Sequence, residues 1–240
     1  MTEEEAKAWL DGHGWWQGAA GERLRAFADM VLEESERQNL ISAASREHLW
    51  ARHIVDSAQL LALSEGAGAG EGAWIDLGTG AGFPGMVVAC LRSGPVKLIE
   101  VRPLRSAFLQ RCVDALGLAH VEVVTGKVER VHGEAPAAVI SARAYAPLDR
   151  LLASAAHLSD EKTLWLLPKG RNGEKELENI RQDWQAMFHV EHSITDPESV
   201  VVTIKDLHRP GRGPAPRSAA SLRQRPKRAA TRSRGARVRS

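Results

Sequence analysis

The sequence predicts an α/β fold, an open and mostly parallel Rossmann-like sheet preceded by a helical N-terminal extension. Three observations carry that prediction. After Gly72, short apolar runs alternate with helix-forming segments, the pattern of βαβ units. A glycine-rich loop follows directly on the first of those runs. The last two runs lie too close together for a crossover helix, so they must pair antiparallel.

The first 65 residues read as helices. Glu22 to Arg37 carries Leu24, Phe27, Ala28, Val31 and Leu32, an apolar stripe at helical spacing. A second helix is predicted from Ser45, a good N-cap, to about Leu63, with Ala51, Ile54, Val55, Ala58 and Leu61 as its stripe. The run Gly66-Ala-Gly-Ala-Gly-Glu-Gly72 forms a flexible joint. Strands follow at Ala73–Leu77, Val96–Glu100, Val121–Thr125, Ala138–Ser141 and Thr163–Leu167. Helices fit at Pro84–Arg92, Pro103–Leu116 and Leu148–Ala156, and the closing hairpin is Met187–Ile194 with Val200–Ile204. Five parallel strands closed by a hairpin is the plan of class I S-adenosylmethionine-dependent methyltransferases, whereas a plain dinucleotide-binding sheet lacks the hairpin. The predicted layout is a helical extension over 1–65, the sheet domain over 66–207 and a tail over 208–240.

At 240 residues and 43% apolar, the chain has room for one sizeable domain and an appendage. No apolar run reaches the ~18 residues a membrane helix needs. The acidic start, Met1-Thr-Glu-Glu-Glu, is unlike a signal peptide. Cys90 and Cys112 have neither metal-ligand spacing nor a disulfide framework. This is a cytoplasmic profile, with no membrane or metal partner expected; a monomer is expected as well. The net charge of +2 conceals an asymmetry: residues 208–240 hold 11 Lys and Arg and no acid, leaving 21 basic against 30 acidic residues elsewhere. The tail has almost nothing apolar to bury, so disorder is expected. It serves either as a soluble extension or as a basic arm for nucleic-acid phosphates.

The informative stretch is Trp74-Ile-Asp-Leu-Gly-Thr-Gly-Ala-Gly-Phe-Pro-Gly85. Pro84 stands where a helix would begin. Gly78, Gly80 and Gly82 remove the Cβ atoms that would stop a ligand approaching the backbone, and the helix N-terminus suits an anion. A formal G-x-G-x-x-G match at Gly80, Gly82 and Gly85 is weak by itself. Asp76, two residues before the first glycine, shifts the balance. It would repel a pyrophosphate but suits the ammonium of a methionyl group, directly or through water. Glu100 ends the next strand, 18 residues after Gly82, and suits two ribose hydroxyls in either an NAD or an S-adenosylmethionine site. A 2′-phosphate would meet its negative charge, which argues against NADP.

Two further strand ends matter, because ligands of open α/β sheets bind there. Lys127-Val-Glu129 follows the third strand, where an adenine would lie, and Ser141-Ala-Arg-Ala-Tyr-Ala-Pro147 follows the fourth, facing the transferable methyl. The fourth loop lacks the acid or amide with two prolines that many exocyclic-amine methylases carry, and no cysteine falls there. Arg143 has two readings, a site residue or an ion pair with Asp149 or another nearby acid.

Taken together, these residues resemble the bacterial small-subunit ribosomal RNA guanine-N7 methyltransferases, also called glucose-inhibited division protein B. The resemblance runs through Asn39-Leu-Ile-Ser42, Arg52-His-Ile-Val-Asp-Ser57, the loop Asp76 to Gly85, Val139-Ile-Ser-Ala-Arg-Ala144 and Leu167-Pro-Lys-Gly170, spanning roughly residues 20 to 205. It implies methyl transfer from S-adenosylmethionine to N7 of a guanosine in 16S rRNA near the decoding region, with 16S rRNA or the small ribosomal subunit as partner. It implies Gly78, Phe83, Val128, Glu129 and Arg143 as cofactor contacts, beside Asp76, Gly80, Gly82 and Glu100 read from the loop. Arg143 and Lys169 become the candidate catalytic residues. Pro103 and Lys127 depart from the family pattern, as does the basic tail. The resemblance also gives Arg52, His53, Asp56 and Ser57 a role in shaping the cofactor pocket or its lid, where spacing alone suggests a solvated face.

Two other features carry less. His189 and His192, three apart on a strand, point to opposite faces and make a poor metal pair. Trp15 and Trp16 suit core packing better than stacking on RNA. Rival functions are a NAD-dependent oxidoreductase and a non-catalytic RNA-binding module of ribosome assembly. Removing residues 208–240 is expected to leave S-adenosylmethionine affinity unchanged while flattening the salt dependence of rRNA binding. Calorimetry and filter binding across a salt series check both, and a truncated chain that unfolds contradicts the expected disorder.

Overall fold

The computed structural model describes residues 1–181 and 183–208. The predicted tail therefore lies outside the described residues, apart from His208, which ends the last strand.

Helix α1, Glu3–Gly12, starts from a capping box: Glu5 N donates to Thr2 Oγ1 at 3.1 Å and Thr2 N to Glu5 Oε2 at 2.7 Å. Helix α2, Gly18–Glu34, buries the predicted stripe of Leu24, Phe27, Ala28 and Val31. The single helix predicted from Ser45 to Leu63 is divided. Helix α3 covers only Ala43–Arg46, with Ser42 at its N-cap, and Ser45 Oγ pairs with Ser42 Oγ at 2.7 Å. A π-helical segment, Trp50–Val55, then runs into α4, Asp56–Gly66. The backbone N–H groups of Trp50 and Ala51 donate to the Glu3 carboxylate at 3.1 and 2.9 Å, so the chain starts a new helix there under a cap supplied by α1. Trp16 packs edge-on against Trp50, 5.0 Å between centroids, and Trp15 against Trp9 at 5.8 Å. These tryptophans join the N-terminal helices.

The sheet comprises β1 Trp74–Leu77, β2 Val96–Glu100, β3 Val121–Thr125, β4 Val139–Ser141, β5 Leu164–Lys169, β6 Gln185–His192 and β7 Val200–His208. Its order is β3-β2-β1-β4-β5-β7-β6. Strands β1 to β5 are parallel, and β7 runs antiparallel between β5 and β6. The class I plan is met, with the hairpin strands displaced from the prediction: β7 extends to His208 because its whole length pairs with β6.

Near-continuous apolar runs are what a sheet covered on both faces requires. Trp74, Leu98, Leu164 and Leu166 point into one core, shared with α2, α4, α5 (Gly85–Leu91) and α6 (Pro103–Ala115). Ile75, Ile99, Trp165 and Leu167 point into the other, under α7 (Leu148–Ala155) and α8 (Gly173–Ile180). The N-terminal helices thus share a core with the sheet: Phe27 and Leu24 lie in the same cluster as Met86 and Leu98.

Gly85, the first residue of α5, is where helix and sheet come closest. A Cβ there would sit 2.4 Å from Leu98 Cδ2 and 2.8 Å from Asp76 Cβ. Gly85→Ala is expected to cost about 1–3 kcal/mol of stability, read from urea unfolding midpoints; an unchanged midpoint would mean α5 can shift freely against β1.

Candidate cofactor and substrate site

Strand order reverses between β1 and β4, and the crevice beyond their carboxyl ends is the usual ligand position in such sheets. Asp76, fully buried on β1, ties this region together. Ser141 Oγ donates to its Oδ1 at 2.7 Å, and Thr79 Oγ1 and Gly85 N donate to Oδ2 at 2.7 and 3.0 Å. Trp74 Nε1 in turn donates to Ser141 Oγ at 2.8 Å. Burial pushes the Asp76 carboxyl up to about 6, while these three donors and the Arg143 charge pull it down. The carboxylate braces the glycine turn from beneath through these three donors.

The turn itself differs from the expectation that its glycines simply make room for a ligand. Gly82, at φ +104°, is closed over by protein: a Cβ would lie 2.6 Å from Phe27 Cζ. Gly78, at φ +63°, lies under the Tyr145 ring, 2.5 Å from where its Cβ would be. Gly80 N donates to Glu100 Oε2 at 2.8 Å, and Arg102 N to Glu100 Oε1 at 2.9 Å. Beside them opens a cavity of about 370 Å³ whose walls include Gly78, Glu100, Val128, Glu129 and Tyr145. Asp76, Gly80, Gly82 and Phe83 are not among its walls; they hold the turn that forms its edge.

Arg143 sits at the meeting of β4 and the π-helical segment. Its Nη1 donates to Asp56 Oδ2 at 3.0 Å and to the Arg52 carbonyl at 3.1 Å, and its Nη2 donates to His53 Nδ1 at 2.9 Å. The ion-pair reading of Arg143 therefore holds with Asp56 in place of Asp149. Phe83, 3% exposed, lies under this group, with the His53 ring stacked at 4.9 Å and the guanidinium 5.2 Å above its centroid. An arginine can only donate, so His53 Nδ1 accepts and its proton is on Nε2, which has no partner among the described residues. Burial, then the Arg143 and Arg52 charges, lower the His53 pKa to about 3. Ala144 takes a left-handed φ of +52°, a conformation costly for a residue with a Cβ. It lets Arg143 face Asp56 while Tyr145 covers Gly78.

A second cavity, about 550 Å³, shares Ala144 and Tyr145 with the first and is walled by Asp56, Arg143, Lys169 and Glu176. Lys169 ends β5, with Nζ donating to the Ala146 carbonyl at 3.1 Å and to Glu176 Oε2 at 2.9 Å. A third, polar cavity of about 700 Å³ continues from it past Asp56, Gly170 and Ser199 to Arg52 and Arg171.

Sequence comparison agrees with this arrangement. The profile of the family described as rRNA small subunit methyltransferase G, GidB, matches residues 20–200. A Novosphingobium aromaticivorans protein named ribosomal RNA small subunit methyltransferase G is 50% identical over 90% of this chain and 93% of its own length. The chain belongs to the GidB family. A Rhizorhabdus wittichii protein of the same name is 47% identical over 89% of this chain and 97% of its own. Among solved structures, a SAM-dependent methyltransferase from Aquifex aeolicus superposes with a TM-score of 0.54 at 17% identity, covering 72% of this chain and 97% of its own. An O-methyltransferase from Bacillus cereus in complex with SAH gives 0.54 at 15% identity, over 75% and 90%. These likenesses establish the class I methyltransferase fold.

Of the residues singled out in this GidB-family sequence, the structure brings Gly78, Glu100, Val128 and Glu129 to the first cavity and Arg143 and Lys169 to the second. Sequence reasoning missed Tyr145, which covers the glycine turn, and Glu176, which partners Lys169. Cys90 and Cys112 are buried in α5 and α6, and burial pushes both thiols up to about 12. No helix among the described residues is long and apolar enough to cross a membrane.

The pKa shifts carry a pH signature. His53 falls from 6.5 to about 3 on folding, so the unfolded chain protonates first and the ring's contribution is lost as pH drops below 6.5. Asp76 acts in the opposite sense between 3.8 and about 6. The stability difference between wild type and His53→Gln is therefore expected to shrink from pH 7 to pH 5, measured by urea unfolding at each pH, with a constant difference as the contrary result.

Proposed function

We propose that this chain transfers a methyl group from S-adenosylmethionine to N7 of a guanosine in 16S rRNA, near the decoding region. Its substrate is 16S rRNA or the small ribosomal subunit, and it acts as a cytoplasmic monomer. The observation that carries this reading is the pair of cavities meeting at Ala144 and Tyr145, beyond the carboxyl ends of β1 and β4. Direct methyl transfer needs two sites in contact, one for donor and one for acceptor.

The residues of the first cavity fit S-adenosylmethionine. Glu100, which accepts one backbone N–H on each oxygen, lines the cavity where its remaining lone pairs would accept ribose hydroxyls, Val128 offers an apolar surface for adenine, and Gly78, under the Tyr145 ring, lies at the methionyl end. When bound, S-adenosylmethionine supplies a sulfonium-activated methyl carbon, which the N7 lone pair takes as the carbon–sulfur bonding pair returns to sulfur. Guanine N7 carries no proton, so the protein has none to remove. What remains for it is positioning. Arg143, held by Asp56, His53 and the Arg52 carbonyl, fixes the wall between π-helical segment and β4 that both cavities depend on. Arg52 and Arg171 in the third cavity offer positive charge to the flanking phosphates.

Glu100→Ala is expected to weaken S-adenosylmethionine binding by at least roughly tenfold, about 1.4 kcal/mol, by calorimetry. Mass-spectrometric mapping of rRNA from a deletion strain is expected to show one lost N7-methylguanosine, restored by wild type. Tight NAD binding without S-adenosylmethionine binding would favour an oxidoreductase, and restoration by Arg143→Ala would favour a non-catalytic assembly factor.

A further inference from the structure

We propose that the Lys169–Glu176 ion pair is the guanine-reading element of this site, with Glu176 the residue that selects guanine over adenine; the inference rests on the function proposed above. The second cavity presents two carboxylates, and they differ in what they have left to offer. Asp56 is committed: Oδ1 accepts from Gln59 Nε2, Thr195 Oγ1 and Ser193 Oγ at 2.9, 3.1 and 3.4 Å, and Oδ2 accepts from Arg143. Glu176 receives Leu148 N and Lys169 Nζ, both at 2.9 Å and both on Oε2. Its Oε1 has no hydrogen-bond partner among the described residues. Lys169 is similarly poised. An ammonium has three donors, and two are taken, by the Ala146 carbonyl and Glu176.

One free carboxylate oxygen, Oε1, and one free ammonium hydrogen, on a pair joined through Oε2 at 2.9 Å, are an acceptor next to a donor. Guanine offers the complement on adjacent atoms: the N1–H and 2-amino hydrogens donate, and O6 accepts. Adenine reverses the pattern with its 6-amino donor and N1 acceptor, which would set like against like at both positions. Reading this edge leaves N7 free on the other side of O6, the side that must face the donor cavity across Ala144 and Tyr145. A site built to pair with polar groups rejects an analogue that leaves them unpaired more strongly than an apolar pocket does. Methylation at N7 places positive charge on the purine, and a carboxylate beside N1–H stabilises it as it develops.

The pair is also held rigidly. Lys169 is 11% exposed at its side chain. Gly173, opening α8, lies so close that a Cβ would meet Lys169 Cβ and Val200 Cγ2, each at 2.7 Å. That contact sets α8 flush against the ends of β5 and β7 and fixes Glu176 three residues further along. Glu176 Oε2 additionally receives the first N–H of α7, so its free oxygen is oriented from two sides.

Two measurements test the proposal. Protein loaded with S-adenosylhomocysteine is titrated with GMP, IMP and AMP; wild type is expected to prefer GMP over AMP by at least about tenfold, with IMP between them because it lacks the 2-amino group. Glu176→Gln keeps the shape and the bond to Leu148 N but puts an amide where a carboxylate stood, and is expected to abolish that preference. Single-turnover methylation of undermethylated small subunits is expected to fall at least about tenfold in the same variant, with S-adenosylhomocysteine affinity and melting temperature unchanged. If the variant loses stability, the double substitution Lys169→Met with Glu176→Leu removes the charges together, and its expected result is a folded protein that binds S-adenosylhomocysteine without nucleotide preference. A wild type that binds S-adenosylhomocysteine and methylates rRNA but shows no GMP preference, or a Glu176→Gln protein that keeps it, overturns the guanine seat alone. A wild type that neither binds S-adenosylhomocysteine nor methylates rRNA overturns the underlying function as well.

Discussion

A single desolvated charge organises this site. Taking the Asp76 carboxylate out of water is costly, and the fold offsets that by aiming three donors at it, from β4, from the loop and from the start of α5. Each donor belongs to a different segment, so β1, β4, the glycine turn and α5 meet at one residue. The turn it braces supplies Gly78 to the wall of the first cavity. The Trp74 indole extends the chain of hydrogen bonds through Ser141, binding two neighbouring strands by side chains as well as by their ladder.

Above this floor the N-terminal helices complete the walls. The π-helical segment at Trp50–Val55 and the first residue of α4 bring Arg52, His53 and Asp56 to Arg143, just beyond β4. Such wide turns gather at functional sites because they free backbone groups and re-aim side chains; here the Arg52 carbonyl is available to the Arg143 guanidinium. Phe83 links the same group to the glycine turn, touching His53 on one side and Phe27 of α2 on the other, 5.4 Å between centroids. The helices that precede the sheet in sequence are thus part of the site's construction.

The sheet was legible because both of its faces are covered, so its strands appear as short apolar runs with clear ends; β2 and β3 fall on the predicted residues. The pocket-forming loops were legible through glycine spacing and strand-end acids. Other features left weaker traces. The α1 capping box, Thr2 with Glu5, is a local signal that periodicity alone passes over. Helix α8 buries only Gly173, Leu177 and Ile180, too few apolar positions to register as a stripe, and Glu176 was missed with it. The break at Trp50 depends on Glu3, 47 residues away, which no local window contains. The place of Asp76 beside the glycines was legible, but its bond to Ser141 depends on the register of β1 with β4, which no local window contains.

The antiparallel strand has a consequence for how the molecule is made. Strand β7 is the last of the described strands in sequence but interior in the sheet, and within the sheet β6 hydrogen-bonds to β7 alone among the described residues. During synthesis, β5 must therefore wait with a bare edge until residues 200–208 have left the ribosome. Such an edge readily recruits a foreign strand. A nascent chain halted short of Val200 would carry both an unfinished sheet and a β6 without its strand partner, making the interval before β7 emerges the one in which aggregation competes most directly with folding.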